Sequence, residues 1–210
     1  MPTIEQARFW YADADAVHDF DHVLRVQRMA ERIAEAEGAD LQIVRAAALL
    51  HDAQGAASGG ESRAEHQHAS AEFAAQILAS EGWNAGRIAA VQHCIRAHRY
   101  RGNEAPETLE AQILFDADKL DVLGAIGVAR VIGYASLANA PWYVPPSKQF
   151  IETGKEIEGE PHSAYHEHLF KLRNVRERMY TETARTIAQA RLEYLDDFFE
   201  RLIDEWNGER

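Results

Sequence analysis

The sequence predicts an all-α protein, on three observations. Apolar residues recur every three and four positions along nearly the whole chain. No stretch alternates as a convincing strand would, and cap residues and glycines punctuate the pattern at helical lengths. With 210 residues, the expectation is a single-domain helical bundle, since a chain of this length can bury most of its apolar surface. Its core would cover about residues 15–138, with a C-terminal helical pair at about 163–206 packing on it.

The elements follow in order. A short helix is expected from Ile4 to Tyr11, and a second from Asp19 to Glu37, stopped by Gly38. Asp40 is a good N-cap for a third helix carrying Leu41 to Asp52. Ala53 to Arg63, with Gly55, Gly59 and Gly60, reads as a loop. Helices are then expected over His66–Ser80, Asn84–Ala97 and Glu107–Ala138, the last broken near Gly124 or Gly133. Pro141 to Pro161 reads as irregular, followed by a helical pair at Ser163–Glu177 and Thr181–Trp206.

Thirty-four acidic against 22 basic side chains give a formal charge of -12, which argues against binding a nucleic acid polymer through a basic field. A small anionic substrate would need a local positive centre. The single cysteine, Cys94, excludes an internal disulfide and a cysteine-based zinc cluster. Met1 to Tyr11 carries Glu5 and Arg8 and lacks an apolar signal-like core, and the longest charge-free run, Val131 to Ser147, contains three prolines. The expectation is a cytoplasmic protein without a membrane partner, monomeric or homodimeric.

Three of the ten histidines end apolar stripes. His22 shares a helix face with Val26, Met29 and Ile33, His51 with Leu41, Val44 and Ala48, and His98 with Ile88, Val91 and Ile95. One such histidine is most simply a hydrogen-bonded core residue. Three, with Asp52 directly after His51, point instead to a metal site, because a carboxylate at the inner end of an apolar helix is costly unless paired or metal-bound. His162, His166 and His168 lack such a setting and read as exposed or capping. A fourth element, Asp116-Ala117-Asp118-Lys119-Leu120-Asp121, places three carboxylates within six residues, which would repel one another without a cation nearby. An ordinary Asp116–Lys119 surface pair on a solvated stripe is the plain alternative.

His22, then His51-Asp52, then Asp118 reproduce an H…HD…D order. Around them lie His18-Asp19-Phe20-Asp21-His22-Val23-Leu24-Arg25-Val26, Ala47-Ala48-Leu49-Leu50-His51-Asp52, and the Asp116–Asp121 segment leading into Gly124-Ala125-Ile126-Gly127-Val128-Ala129-Arg130. Over about residues 15–200 the chain resembles the HD-domain superfamily of metal-dependent phosphohydrolases, in particular the small bacterial HD proteins acting on nucleotides. The spacing of Lys171, Thr181 and Arg191 also resembles that group. The resemblance implies an HD-type helical bundle with residues 1–210 forming a single HD domain. It also implies His22, His51, Asp52 and Asp118 as metal ligands.

Two imidazoles and two carboxylates suit manganese, magnesium, cobalt, nickel, iron or zinc without selecting among them. Four ligands on an octahedral ion leave two positions for water or phosphate oxygens, the local positive centre an acidic protein needs. His68 and His98 are candidates for a second metal or for phosphate contact, with one ion the favoured arrangement and His98 preferred over His93. Relatives often carry a charged residue shortly after the HD pair; here the chain reads Ala53-Gln54-Gly55, so Glu61, Glu65 and Asp121 are the general acid/base candidates. Lys171, Arg130 and Arg191 are candidates for substrate phosphate, against ordinary salt bridges. The leading function is hydrolysis of a small phosphorylated metabolite, a nucleotide, including pyrophosphate release from nucleoside triphosphates. Phosphomonoesters and cyclic nucleotides come next. The alternatives are a non-catalytic nucleotide- or metal-sensing HD module and a structural helical adaptor.

Overall fold

The structure, a computed structural model, describes residues 1–11, 20–54, 66–99 and 104–210. Among the described residues there are ten α-helices and no strand. They are α1 Ile4–Trp10, α2 Phe20–Glu37, α3 Leu41–Leu50, α4 His66–Ser80, α5 Ala85–Ala97, α6 Leu109–Leu120, α7 Gly124–Leu137, α8 Lys148–Thr153, α9 Ala164–Phe170 and α10 Glu182–Trp206. The chain divides into two compact units. One comprises Met1–Asp118 with Met179–Ala184, the other Lys119–Arg178 with Arg185–Arg210. No single helix is long and apolar enough to cross a membrane.

In the first unit α3 is the central helix, packed against α1, α2, α4 and α5. Its sequence explains why. Val44 and every residue from Ala46 to Leu50 are buried, so the helix is apolar around most of its circumference, and three consecutive alanines let its neighbours approach closely. Asp40 caps it by accepting from the amides of Gln42 and Ile43, at 3.0 and 3.2 Å, and binds the Arg87 guanidinium at 2.8 Å. That guanidinium holds the Asp40 carboxyl below its usual range. Gly38, at φ +76°, ends α2 in the left-handed conformation that its lack of Cβ makes cheap. At the far end α3 stops at Leu50, two residues earlier than the periodicity predicts, so His51 and Asp52 lie on the turn beyond it.

In the second unit the chain turns at residues 121–123, and α7 then runs unbroken through Gly133. The break therefore falls at Gly124, where the backbone is left-handed at φ +70°. Pro141–Pro161 is not wholly irregular. Ser147 caps α8 by accepting from the Phe150 amide at 3.0 Å, and Gly154 closes it at φ +68°. Glu160 gathers this segment, accepting from the Ser147 amide and hydroxyl and from the Ile157 amide at 2.7, 2.7 and 2.9 Å. After α9 the chain makes two 3₁₀ turns, Leu172–Asn174 and Arg176–Arg178, in place of the longer helix expected to Glu177.

Candidate metal centre

The first unit brings six imidazole and carboxylate side chains together. His22 comes from the first turn of α2, where the buried stripe of Val26 and Ile33 turns it inward. His51 and Asp52 come from the turn after α3, His66 from the start of α4, His98 from the end of α5, and Asp118 from the last turn of α6. They form two groups whose potential ligand atoms lie within 4.8 Å of one another, His22 with His51 and Asp118, and Asp52 with His66 and His98. His22 Nε2 is 3.3 Å from Asp118 Oδ1. Asp52 joins the groups: its Oδ2 is 3.5 Å from His51 Nε2, and its Oδ1 is 3.1 Å from His66 Nε2 and 3.5 Å from His98 Nε2.

The tautomers follow from the backbone. His51 Nδ1 is 2.8 Å from the Ala48 carbonyl and His98 Nδ1 is 2.6 Å from the Ile95 carbonyl. A carbonyl only accepts, so each Nδ1 carries the proton and each Nε2 presents a lone pair. His51 Nε2 is fully buried and has no hydrogen-bond partner. Burial pushes the His51 pKa down to about 4 against the attraction of Asp52, so the ring is neutral at neutral pH. Burial also opposes ionisation of Asp52, but the imidazoles around it, with a hydrogen bond from His66 Nε2 at 3.1 Å, hold its pKa well below the usual carboxylate range. A lone pair of a neutral imidazole thus faces an anionic oxygen in a buried site. This is unfavourable in itself and favourable around a cation. A metal-ligating histidine commonly donates its other ring N–H to a carbonyl, as both rings do here.

These positions define an HD domain, and the chain belongs to the HD domain family, whose sequence profile matches residues 19–123. Over 206 residues it is 32% identical to YpgQ of Bacillus subtilis, covering 94% of this chain and 91% of YpgQ. The crystal structure of YpgQ in complex with ADP superposes with a TM-score of 0.72 at 27% identity, covering 97% of each chain. An HD-superfamily hydrolase from Bacillus thuringiensis superposes with a TM-score of 0.73 at 26% identity, covering 97% of this chain and 94% of that one.

The other sequence-predicted residues fall elsewhere. His68 is exposed, and its place beside Asp52 is taken by His66. The two lie two residues apart on α4 and so point about 200° apart, given the 3.6-residue turn. His93 is held in a polar cluster by Glu104 at 2.6 Å and the Glu107 amide at 3.1 Å. Glu61 and Glu65 lie outside the described residues. Within the second unit, Asp121 is buried and bound by Arg130 at 3.0 Å. Arg191 donates to the Leu120 carbonyl, and exposed Lys171 pairs with Glu167 one helical turn earlier.

Three further differences concern charge. Asp116 is no surface partner of Lys119: it is fully buried and accepts from the Tyr180 amide at 2.9 Å and from the Thr181 amide and hydroxyl at 2.8 and 2.7 Å. Asp116 and Asp118 lie two positions apart on α6 and so point in different directions, which keeps their carboxylates apart. His166 and His168 are fully buried rather than exposed, with Nε2 3.1 Å from Glu160 and 2.9 Å from Asp196 respectively. His162 is about half exposed, beside Glu156 at 2.6 Å.

A pH dependence follows. Burial pushes His168, like His51, down to about 4, with the Arg173 charge acting in the same direction. In the unfolded chain both rings titrate near the ordinary histidine value of about 6.5. Between those values the unfolded state binds more protons, so stability is fully present above about pH 6.5 and declines as pH falls toward 4. Metal-free protein unfolded near pH 5 is expected to take up about two protons onto these rings, read as the dependence of calorimetric enthalpy on buffer ionisation. Unfolding at that pH without net proton uptake would contradict the neutral assignment.

Proposed function

We propose that this protein is a metal-dependent phosphohydrolase of the cytoplasm that cleaves a phosphoester or phosphoanhydride of a small nucleotide, nucleoside triphosphates and pyrophosphate release included. The observation that carries this is the buried, unpartnered Nε2 of His51 facing ionised Asp52. His22, His51, Asp52 and Asp118 would hold one divalent ion, with manganese, magnesium, iron, cobalt, nickel and zinc all compatible with a mixed N/O set. Such an ion supplies a Lewis acid for a phosphoryl oxygen and lowers the pKa of its water. The likeness to the Bacillus thuringiensis HD-superfamily hydrolase supports hydrolysis, and the ADP bound to YpgQ supports a nucleotide substrate.

The chain's own groups divide the remaining work. The carbonyls of Ala48 and Ile95 orient His51 and His98, so neither ring must reorganise when a ligand binds. His66 has 15% of its side chain exposed, against 4% or less for His22, His51 and His98. It is therefore the imidazole of the set best able to meet a substrate oxygen. With Asp52 and His98 it would bind either phosphate or a second ion. Glu61, Glu65 and Asp121 are the acid/base candidates. Arg130, Arg191 and Lys171 have protein partners, so a phosphate role would require them to exchange those partners.

The test is phosphate and pyrophosphate release from nucleoside mono-, di- and triphosphates and cyclic nucleotides by metal-stripped protein, with each divalent ion added back. Release that needs metal and falls at least about 100-fold in a folded Asp118→Ala variant is the expected result. Metal and nucleotide binding without turnover would establish a sensing module instead. Failure to bind any metal would leave only the structural adaptor.

A further inference from the structure

The HD turn has an unusual anchor. Past the end of α3, carbonyls must find partners outside the regular helix ladder. The Leu50 carbonyl accepts from the Ala53 amide at 3.3 Å, closing a tight turn, and the Ala48 carbonyl accepts from the His51 ring. The Leu49 carbonyl accepts from the phenol of Tyr11 at 3.1 Å. Tyr11 follows α1, 38 residues away in sequence, and is fully enclosed in a cluster with Ala7, Phe20, Val23, Leu49 and Ala53. That hydroxyl therefore ties the last turn of α3, two residues before His51, to the residue that follows α1.

We propose that Tyr11 is a positioning residue for the metal centre, its phenol donating to the Leu49 carbonyl and thereby fixing the end of α3 from which His51 and Asp52 present their ligand atoms. The inference rests on the metal reading above and deepens it. A residue that merely fills the core would affect stability through its ring, which packs 5.9 Å from Phe20. A positioning residue acts through its oxygen, whose removal frees the turn while the ring stays in place. Partners that orient metal ligands typically change affinity by about 10–100-fold when removed.

The test compares Tyr11→Phe with Phe20→Leu, which disturbs the same cluster without touching the hydroxyl. The dissociation constant for manganese is measured by titration calorimetry at low temperature, alongside the melting temperature of the metal-free protein. The expected result is a roughly tenfold weaker affinity in Tyr11→Phe, and an affinity within about twofold of the parent in Phe20→Leu even where its melting temperature falls further. Unchanged affinity in Tyr11→Phe overturns the inference while leaving the metal reading intact. Equal losses in both variants also overturn it, because general loosening would then suffice. If Tyr11→Phe does not fold, the hydroxyl is a structural requirement first and the inference is overturned in that form. A parent protein that binds no manganese, matching Asp118→Ala, overturns the metal reading and this inference with it.

Discussion

Replacement of Asp52 by alanine is expected to abolish metal binding and lower nucleotide hydrolysis by at least about a thousandfold. Asp52 faces both groups of candidate ligands, with Oδ2 toward His51 and Oδ1 toward His66 and His98. Its loss removes the negative charge that a cation would neutralise and leaves the His51 and His98 lone pairs in place. Binding gives a direct readout. In the parent, metal at about 100 times its dissociation constant should stabilise the fold by about 2.7 kcal/mol, and in Asp52→Ala the metal-dependent rise in melting temperature should vanish. Asp52→Asn separates charge from shape: it keeps the size and one acceptor, yet should recover little affinity. A variant that still melts later with metal and still turns over would confine the centre to His22, His51 and Asp118.

The same geometry shows why some of the site was legible in the sequence. Helical periodicity fixes the direction of a side chain relative to its own helix, so three histidines ending buried stripes had to point inward, and they do so at positions 22, 51 and 98. Adjacency made His51-Asp52 legible too, since a turn just past a helix can face both residues inward. What periodicity leaves undetermined is the partner of a polar residue. His66 and His68 differ only in rotation about α4, and local spacing does not say which of them faces Asp52. Tyr11 lies 38 residues from the carbonyl it serves, and in sequence it is one more aromatic at the end of a short helix. His168 meets Asp196, 28 residues on, so its setting looked empty when only its neighbours were considered. Long-range polar pairs follow from tertiary packing, which the one-dimensional pattern constrains weakly. Helix α8 is a related case, because prolines on both sides obscure a Ser147 cap and a Gly154 stop that are otherwise ordinary signals.

Asp116→Ala is expected to cost about 3–5 kcal/mol of folding stability, the range for removing one partner from a buried charged network. The carboxylate is fully buried and accepts three hydrogen bonds, from the Tyr180 amide and from the amide and hydroxyl of Thr181. Alanine leaves all three donors without an acceptor, and water has little access to replace it. The order of related variants makes the argument specific. Asp116→Asn keeps one acceptor oxygen but points an amide N–H at a backbone N–H, so it should lose less, about 2 kcal/mol. Thr181→Val removes the hydroxyl donor and also the N-cap of α10, where Thr181 Oγ1 accepts from the Ala184 amide at 3.2 Å, and should cost about 1–2 kcal/mol. Urea unfolding curves of the three would measure the series, and a loss under about 1 kcal/mol for Asp116→Ala would contradict the buried clamp. The consequence extends to function because Asp118 lies two residues along the same helix. Asp116 fixes α6 to the segment 179–184 while Asp118 faces His22, so one short acidic run supplies the tether and would supply a ligand in the proposed metal site.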